Sequence, residues 1–198
     1  MRVISGTAKG KRLKAPPGND TRPITDMIKE ALFNVLGQNV NGSEFLDLFA
    51  GSGSVGIEAL SRGAGMVVFV DNSPAAIKTI RDNLDNCNFF DRYQIFKNDV
   101  IAAAVKLEKG KIFFDFIYID PPFTQEKIFL KIMKTIDENN ILKVNGNLII
   151  RTPRKMELPG SFENIRRIRQ NHYGESTLNY YQLYKEVNNN DGNSAYSG

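Results

Sequence analysis

The chain reads as an α/β protein with a doubly wound, mostly parallel sheet, and three observations predict it. Short runs rich in branched and aromatic residues, at about 44–49, 66–71, 92–97, 113–119 and 146–151, alternate with stretches of helical apolar spacing. The run at 113–119 is apolar at nearly every position and is stopped by two prolines, the pattern of a strand buried on both faces. The run at 44–49 passes directly into a glycine turn and a helix through about Leu60, as in a βαβ unit.

The elements follow in order. Residues 1–15 alternate weakly around Gly6 and Gly10, which predicts two short strands or a β-ribbon arm. Pro16-Pro17-Gly18-Asn19-Asp20 predicts a turn or linker. Thr25 is an N-cap for a helix whose apolar stripe is Ile28, Ala31, Leu32, Val35 and Leu36 and which Gly37 ends. That helix should pack on the sheet and bring Arg22 and Thr25 to the ligand edge. Ile128, Ile132, Met133 and Ile136 mark a helix after the prolines. Residues 165–173 and 178–186, joined by Gly174-Glu175-Ser176-Thr177, predict a closing antiparallel hairpin. Residues 187–198 have no apolar pattern and are expected to form a disordered tail. The expected organisation is a basic arm at 1–24, one domain at 25–186 and that tail. There is no internal repeat.

A chain of 198 residues with 41% hydrophobic content carries a full core without needing a second domain. No segment approaches the roughly 18 consecutive apolar residues of a membrane span, and the first residues lack a secretory leader's apolar stretch. Cytoplasmic localisation with no membrane partner is expected. Cys87 is the one cysteine and His172 the one histidine, so neither an internal disulfide nor a metal site is expected, and Cys87 reads as structural.

Charge is unevenly placed. Residues 1–37 hold seven lysines and arginines against three acids, residues 38–150 twelve against fourteen, and the last 48 seven against five. Cations therefore gather in the opening stretch and around Arg151, Arg154, Lys155, Arg166, Arg167 and Arg169. With a pI near 9.1, such end-loading is the footprint of a surface for phosphate backbones.

Chemistry concentrates at strand ends. Asp120-Pro121-Pro122-Phe123 follows the buried strand directly, at the sheet edge where α/β ligands bind. Two prolines lack N–H groups and fix φ, so the corner is stiff and presents Asp120 and the Pro121 carbonyl as acceptors. Phe123 adds a flat face for stacking a ring. Together they complement an exocyclic amine on a nucleobase, whose two N–H donors lie beside a π-face. Acceptors on those hydrogens free the nitrogen lone pair and stabilise the positive charge that develops during attack. An ionised Asp of ordinary pKa serves this purpose.

Upstream, Gly51, Gly53 and Gly56 fit G-x-G-x-x-G, and Asp71 follows Gly51 by 20 residues at the end of the next strand. Alone, this describes a dinucleotide site. Asp47, four residues before Gly51, gains nothing beside a pyrophosphate but suits a cationic ligand. S-adenosylmethionine carries an ammonium, a sulfonium and a ribose, for which Asp47 and Asp71 are suited. A third strand ends in Asn98-Asp99, where an adenine amine could be taken or where Asp99 could simply cap the next helix.

The succession of D-L-F-A-G-S-G at 47–53, Asp71, Asn98-Asp99 and D-P-P-F at 120–123 resembles class I methyltransferases acting on exocyclic amines. The opening stretch, with Met1 to Gly6, Lys9 to Leu13 and Arg22 to Phe33, narrows the resemblance to the RsmD-like methyltransferases of small-subunit ribosomal RNA, over residues 1 to about 186. The resemblance implies a Rossmann-like, seven-stranded sheet, S-adenosylmethionine as cofactor and N2-methylguanine as product. It places Asp47, Gly51 and Gly53 around the methionine portion of the cofactor, with Phe49 in the same binding set. It assigns Asp71 to the ribose, Asn98, Asp99 and the Val100 backbone to the adenine, and Asp120, Pro121, Pro122 and Phe123 to the target amine. The implied partner is ribosomal RNA or the assembling small subunit, met by Arg2, Lys9, Lys11, Arg12, Arg22, Arg151 and Arg154. Ile24 stands where many relatives have threonine, and Asn72 occupies a position where relatives vary. Three alternatives remain open on residues alone: an adenine-N6 methyltransferase on DNA or RNA, a nicotinamide-dependent oxidoreductase that leaves Asp47 and the tetrad unexplained, and an inactive RNA-binding assembly factor.

Overall fold

The computed structural model describes residues 1–17, 24–123 and 126–184. Five α-helices and seven strands alternate along the described chain: α1 (Asp26–Leu36), β1 (Glu44–Leu48), α2 (Ser54–Ser61), β2 (Met66–Asp71), α3 (Pro74–Asn86), β3 (Tyr93–Lys97), α4 (Val100–Lys109), β4 (Phe114–Ile119), α5 (Glu126–Asn139), β5 (Leu142–Pro153), β6 (Ile165–Tyr173) and β7 (Ser176–Leu183). The strands form one sheet in the order β3-β2-β1-β4-β5-β7-β6. The first five are parallel, and β7 and β6 close the sheet antiparallel. This is the expected doubly wound architecture, with its seven strands and closing hairpin.

After β1 the chain builds outward through β2 and β3, then crosses back to place β4 on the other side of β1. The reversal opens a crevice at the carboxyl ends of β1 and β4, the place where ligands bind in such sheets. Two apolar layers hold the sheet between them. One joins Phe33, Phe45, Val67, Phe69, Phe116 and Tyr180 to α1, α2 and α3. The other joins Leu46, Val70, Ile117, Ile119 and Ile150 to α4 and α5.

Helix starts follow local chemistry. Thr25 caps α1 through the Ile28 N–H at 3.3 Å, and Ser73, followed by Pro74 in the first turn, caps α3. The N-terminal segment makes one antiparallel bridge, Arg2 with Arg12, around turns at residues 5–10. It lies docked rather than extended: Val3, Ala8 and Leu13 are buried in the first core layer. Buried Glu58 of α2 accepts the Ile4 and Ser5 N–H groups at 2.7 and 3.0 Å, and Lys29 of α1, also buried, donates to the Arg2 carbonyl at 2.6 Å. Lys29 and Glu58 stand 3.4 Å apart, so an internal ion pair pins the arm to two helices.

Two boundaries differ from expectation. Strand β5 begins at Leu142, and β7 begins at Ser176, leaving a two-residue hairpin turn, Gly174-Glu175. Ser176 and Thr177 are buried and paired with Tyr173 and His172, so they extend the ladder although neither marks an apolar strand. Arg22 and the expected tail at 187–198 lie outside the described residues. Among the described residues no helix is long and apolar enough to cross a membrane.

Candidate active site

Strand β1 turns at Phe49 into a run of left-handed residues, with φ of 60° at Phe49, 56° at Gly51 and 73° at Gly53. A bulky side chain at positive φ is strained and persists where its surroundings hold it. Here the Ala50 N–H is tied to the Val70 carbonyl at 3.0 Å. The glycines do different work. A Cβ at Gly56 would come within 2.3 Å of the Phe69 ring, so that glycine lets α2 lie close on β2. A Cβ at Gly51 would meet nothing nearer than the Phe49 carbonyl at 3.9 Å and would project into open space above the turn. That space is the cradle a ligand's backbone-hugging portion requires.

Asp47 is buried beneath this turn, where its Oδ2 accepts the Gly56 N–H at 2.9 Å. Burial pushes its carboxyl well above the usual carboxylate range; the Gly56 N–H opposes that rise, and Asp120 and Asp71 reinforce it. Its first contact is therefore with the turn itself. Asp71 ends β2 with both oxygens engaged, Oδ2 by the Gly51 N–H at 2.8 Å and Oδ1 by the Ser73 N–H at 2.9 Å. These bonds fix the plane of a carboxylate whose further lone pairs suit a vicinal diol. Asn98 and Asp99 follow β3. Asp99 caps α4, its Oδ1 accepting the Ile101 and Ala102 N–H groups at 3.0 and 3.1 Å, and Val100 is buried behind it. The open cradle at Gly51, the fixed acid at Asp71 and the polar pair at 98–99 lie at three neighbouring strand ends, and this donor and acceptor set fits an adenosyl cofactor.

Across the crevice, Asp120 follows β4, and its N–H donates to the Leu48 carbonyl of β1 at 3.3 Å. Pro121 is buried, and Pro122 and Phe123 are partly exposed. The Asp120 carboxylate is gripped from two sides: Arg151 Nε of β5 donates to Oδ1 at 2.8 Å and the Tyr118 hydroxyl donates to Oδ2 at 3.2 Å. The Arg151 guanidinium also stands over the Phe123 ring, 4.9 Å from its centroid. Burial raises the Asp120 carboxyl above its ordinary value, while the Arg151 charge and the bonds from Arg151 and Tyr118 oppose that rise. The acid expected to have ordinary chemistry thus sits in a setting that shifts it.

The basic residues divide. Arg2, Lys9, Lys11 and Arg12 are exposed on the docked arm, although Arg2 is shared with Asp26 at 3.3 Å. The arm's end is tied to the glycine turn: Lys14 is bonded to Asn83, whose amide also donates to the Ser52 carbonyl at 2.9 Å. Arg154 is exposed at the carboxyl end of β5, where its N–H meets the Glu175 carbonyl at 2.8 Å. Arg151 departs from its sequence-level grouping with the phosphate-binding residues. It is 6% exposed and ion-paired with Asp120, because its position on β5 points it into the crevice. Tyr118 and Asn83 were missed by sequence reasoning. For Tyr118 the available clue was its place two residues before Asp120, on the same strand face. His172 lies on exposed β6, its Nδ1 2.8 Å from Thr177 Oγ1. Among the described residues no cluster of three or more His, Cys, Asp or Glu is placed to hold a metal ion.

Comparison with known proteins adds three findings. The model of the family described as Conserved hypothetical protein 95 matches residues 1–182. A Bacillus subtilis (strain 168) protein, YlbH, named as a candidate rRNA methyltransferase, is 40% identical over 185 residues, 92% of this chain and 98% of that one. The ribosomal RNA small subunit methyltransferase D of Haemophilus influenzae is 32% identical over 158 residues, 80% of this chain and 81% of that one. In fold, a hypothetical protein of Thermus thermophilus superposes with a TM-score of 0.80 at 24% identity, over 92% of this chain and 99% of that chain.

Proposed function

The chain belongs to the RsmD-like methyltransferases, which methylate ribosomal RNA with S-adenosylmethionine, and we propose that its acceptor is the exocyclic N2 amine of a guanine in small-subunit RNA. The observation that supports an exocyclic amine is the Asp120-Pro121-Pro122-Phe123 corner at the switch point, and the family match over residues 1–182 supports guanine in small-subunit RNA over adenine.

S-adenosylmethionine supplies an electrophilic methyl group on a sulfonium. Gly51 leaves room for its methionine portion, while Gly53, set against Phe69, Ile57 and Ile80, holds the turn together with Asp47 and Phe49; Asp71 takes the ribose hydroxyls, and Asn98, Asp99 and the Val100 backbone take the adenine. The target base leaves its stack or comes from an unpaired loop and lies against Phe123. Asp120 and the Pro121 carbonyl accept the amine hydrogens, which directs the nitrogen lone pair and offsets its developing charge. Arg2, Lys9, Lys11, Arg12 and Arg22 of the basic 1–24 segment and Arg154 after β5 bind RNA phosphates.

Product identity tests the reading. Unmodified 16S ribosomal RNA, free and in assembling particles, is incubated with methyl-labelled cofactor, digested to nucleosides and resolved by mass spectrometry. Label is expected in N2-methylguanosine. Label in N6-methyladenosine would move the function to the adenine alternative, since the same corner complements either amine.

A further inference from the structure

We propose that Arg151, together with the Tyr118 hydroxyl, is the positioning residue of the acceptor corner, fixing the Asp120 carboxylate in the orientation that receives the substrate amine. The inference rests on the reading of Asp120 as the acceptor of that amine and assigns the group that aims it.

The geometry is specific. A carboxylate has about four lone-pair directions, two on each oxygen. Arg151 Nε takes one on Oδ1 at 2.8 Å and Tyr118 takes one on Oδ2 at 3.2 Å, so the plane is set by one partner on each oxygen, and among the described residues no other group bonds either oxygen. The arginine is itself held: its side chain is 7% exposed, that of Asp120 15%, and its guanidinium rests on the Phe123 ring at 4.9 Å. Asp120, Phe123 and Arg151 therefore form one unit, anchored further by the Phe129 ring, whose centroid lies 6.3 Å from that of Phe123. Tyr118 lies on the strand before Asp120, Arg151 on neighbouring β5 and Asp47 on neighbouring β1, with Asp71 acting on Asp47 from β2. Burial disfavours a charged Asp120, and the guanidinium opposes it. Without Arg151 the carboxyl would hold its proton to higher pH, and a protonated oxygen is a donor where an acceptor is needed.

Arg151→Met and Arg151→Lys test the assignment beside Asp120→Ala. In Arg151→Met the acid limb of the kcat profile should move to higher pH, with kcat at pH 7 falling by up to about tenfold for each unit by which the limb passes pH 7. Arg151→Lys should restore much of the limb through its charge while keeping a lower plateau, because an ammonium lacks the planar fork. A readout without turnover comes from titrating the ¹³C-labelled Asp120 carboxyl, assigned with Asp120→Asn: its midpoint should rise in Arg151→Met. If Arg151→Met does not fold, Arg151→Lys alone decides, by whether its plateau falls. An unmoved midpoint and acid limb in folded Arg151→Met, an unlowered plateau in Arg151→Lys, or a gain in kcat/KM as though the guanidinium had merely blocked the slot, would overturn the proposal. Normal turnover by Asp120→Ala would instead overturn the acceptor reading, leaving the titration to report on the arginine's hold.

Discussion

Asp47 shows how burial changes what a motif residue does. Its carboxyl is raised well above the usual range by burial, so the folded chain binds the proton more tightly than the unfolded one. The associated stability is present in full below the ordinary carboxylate pKa of about 3.9 and is lost as pH climbs through the raised folded value. Asp47→Asn keeps an oxygen for the Gly56 N–H and removes the cost of ionisation. Its melting temperature should exceed that of the unaltered protein at neutral pH, with the gap shrinking toward pH 4; a gap independent of pH, or one of opposite sign, would contradict this. The residue scale also marks the reach of sequence reasoning. Asp120, Asp71 and the glycines were legible because prolines, periodicity and spacing fix them locally. The role of Arg151 was not, since a tally of cations carries sign but not burial, and its partner lies 31 residues away.

At the scale of elements, alternation of apolar runs located β1 to β4 within a residue, because strands buried on both faces announce themselves by composition. The start of β7 was hidden because Ser176 and Thr177 join the ladder through backbone pairing to β6. The arm was harder still. Its weak alternation suggested two short strands or a β-ribbon arm and said nothing of what docks it: Glu58, more than 50 residues distant, accepts two of its backbone N–H groups. Glu58→Ala would leave Lys29 buried without its carboxylate, a change expected to cost about 3–5 kcal/mol by analogy with broken internal pairs. Chemical denaturation would measure that loss, and limited proteolysis should cut the arm first. A variant with unchanged stability and a protected arm would show that the apolar contacts of Val3, Ala8 and Leu13 suffice.

The whole molecule places two chemistries on either side of one topological reversal. In the proposed reading β1 and β2 carry the cofactor side and β4 with β5 the acceptor side; the Asp120 N–H bonded to the Leu48 carbonyl ties β4 to β1. Arg154 is exposed at the carboxyl end of β5, whereas the arm's exposed cations run along the ends of α2 and α3, where Thr7 bonds Ser61 and Asn86 bonds the Arg12 carbonyl. The central claim is that Asp120 acts on the acceptor rather than on the cofactor. Its most direct measurement pairs calorimetric titration of S-adenosylmethionine with single-turnover methyl transfer in Asp120→Ala. The account predicts cofactor affinity close to that of the unaltered enzyme with transfer reduced at least about a hundredfold, the scale of losing one preorganised transition-state contact. Near-normal transfer, or lost cofactor affinity that alone explains the defect, would contradict it.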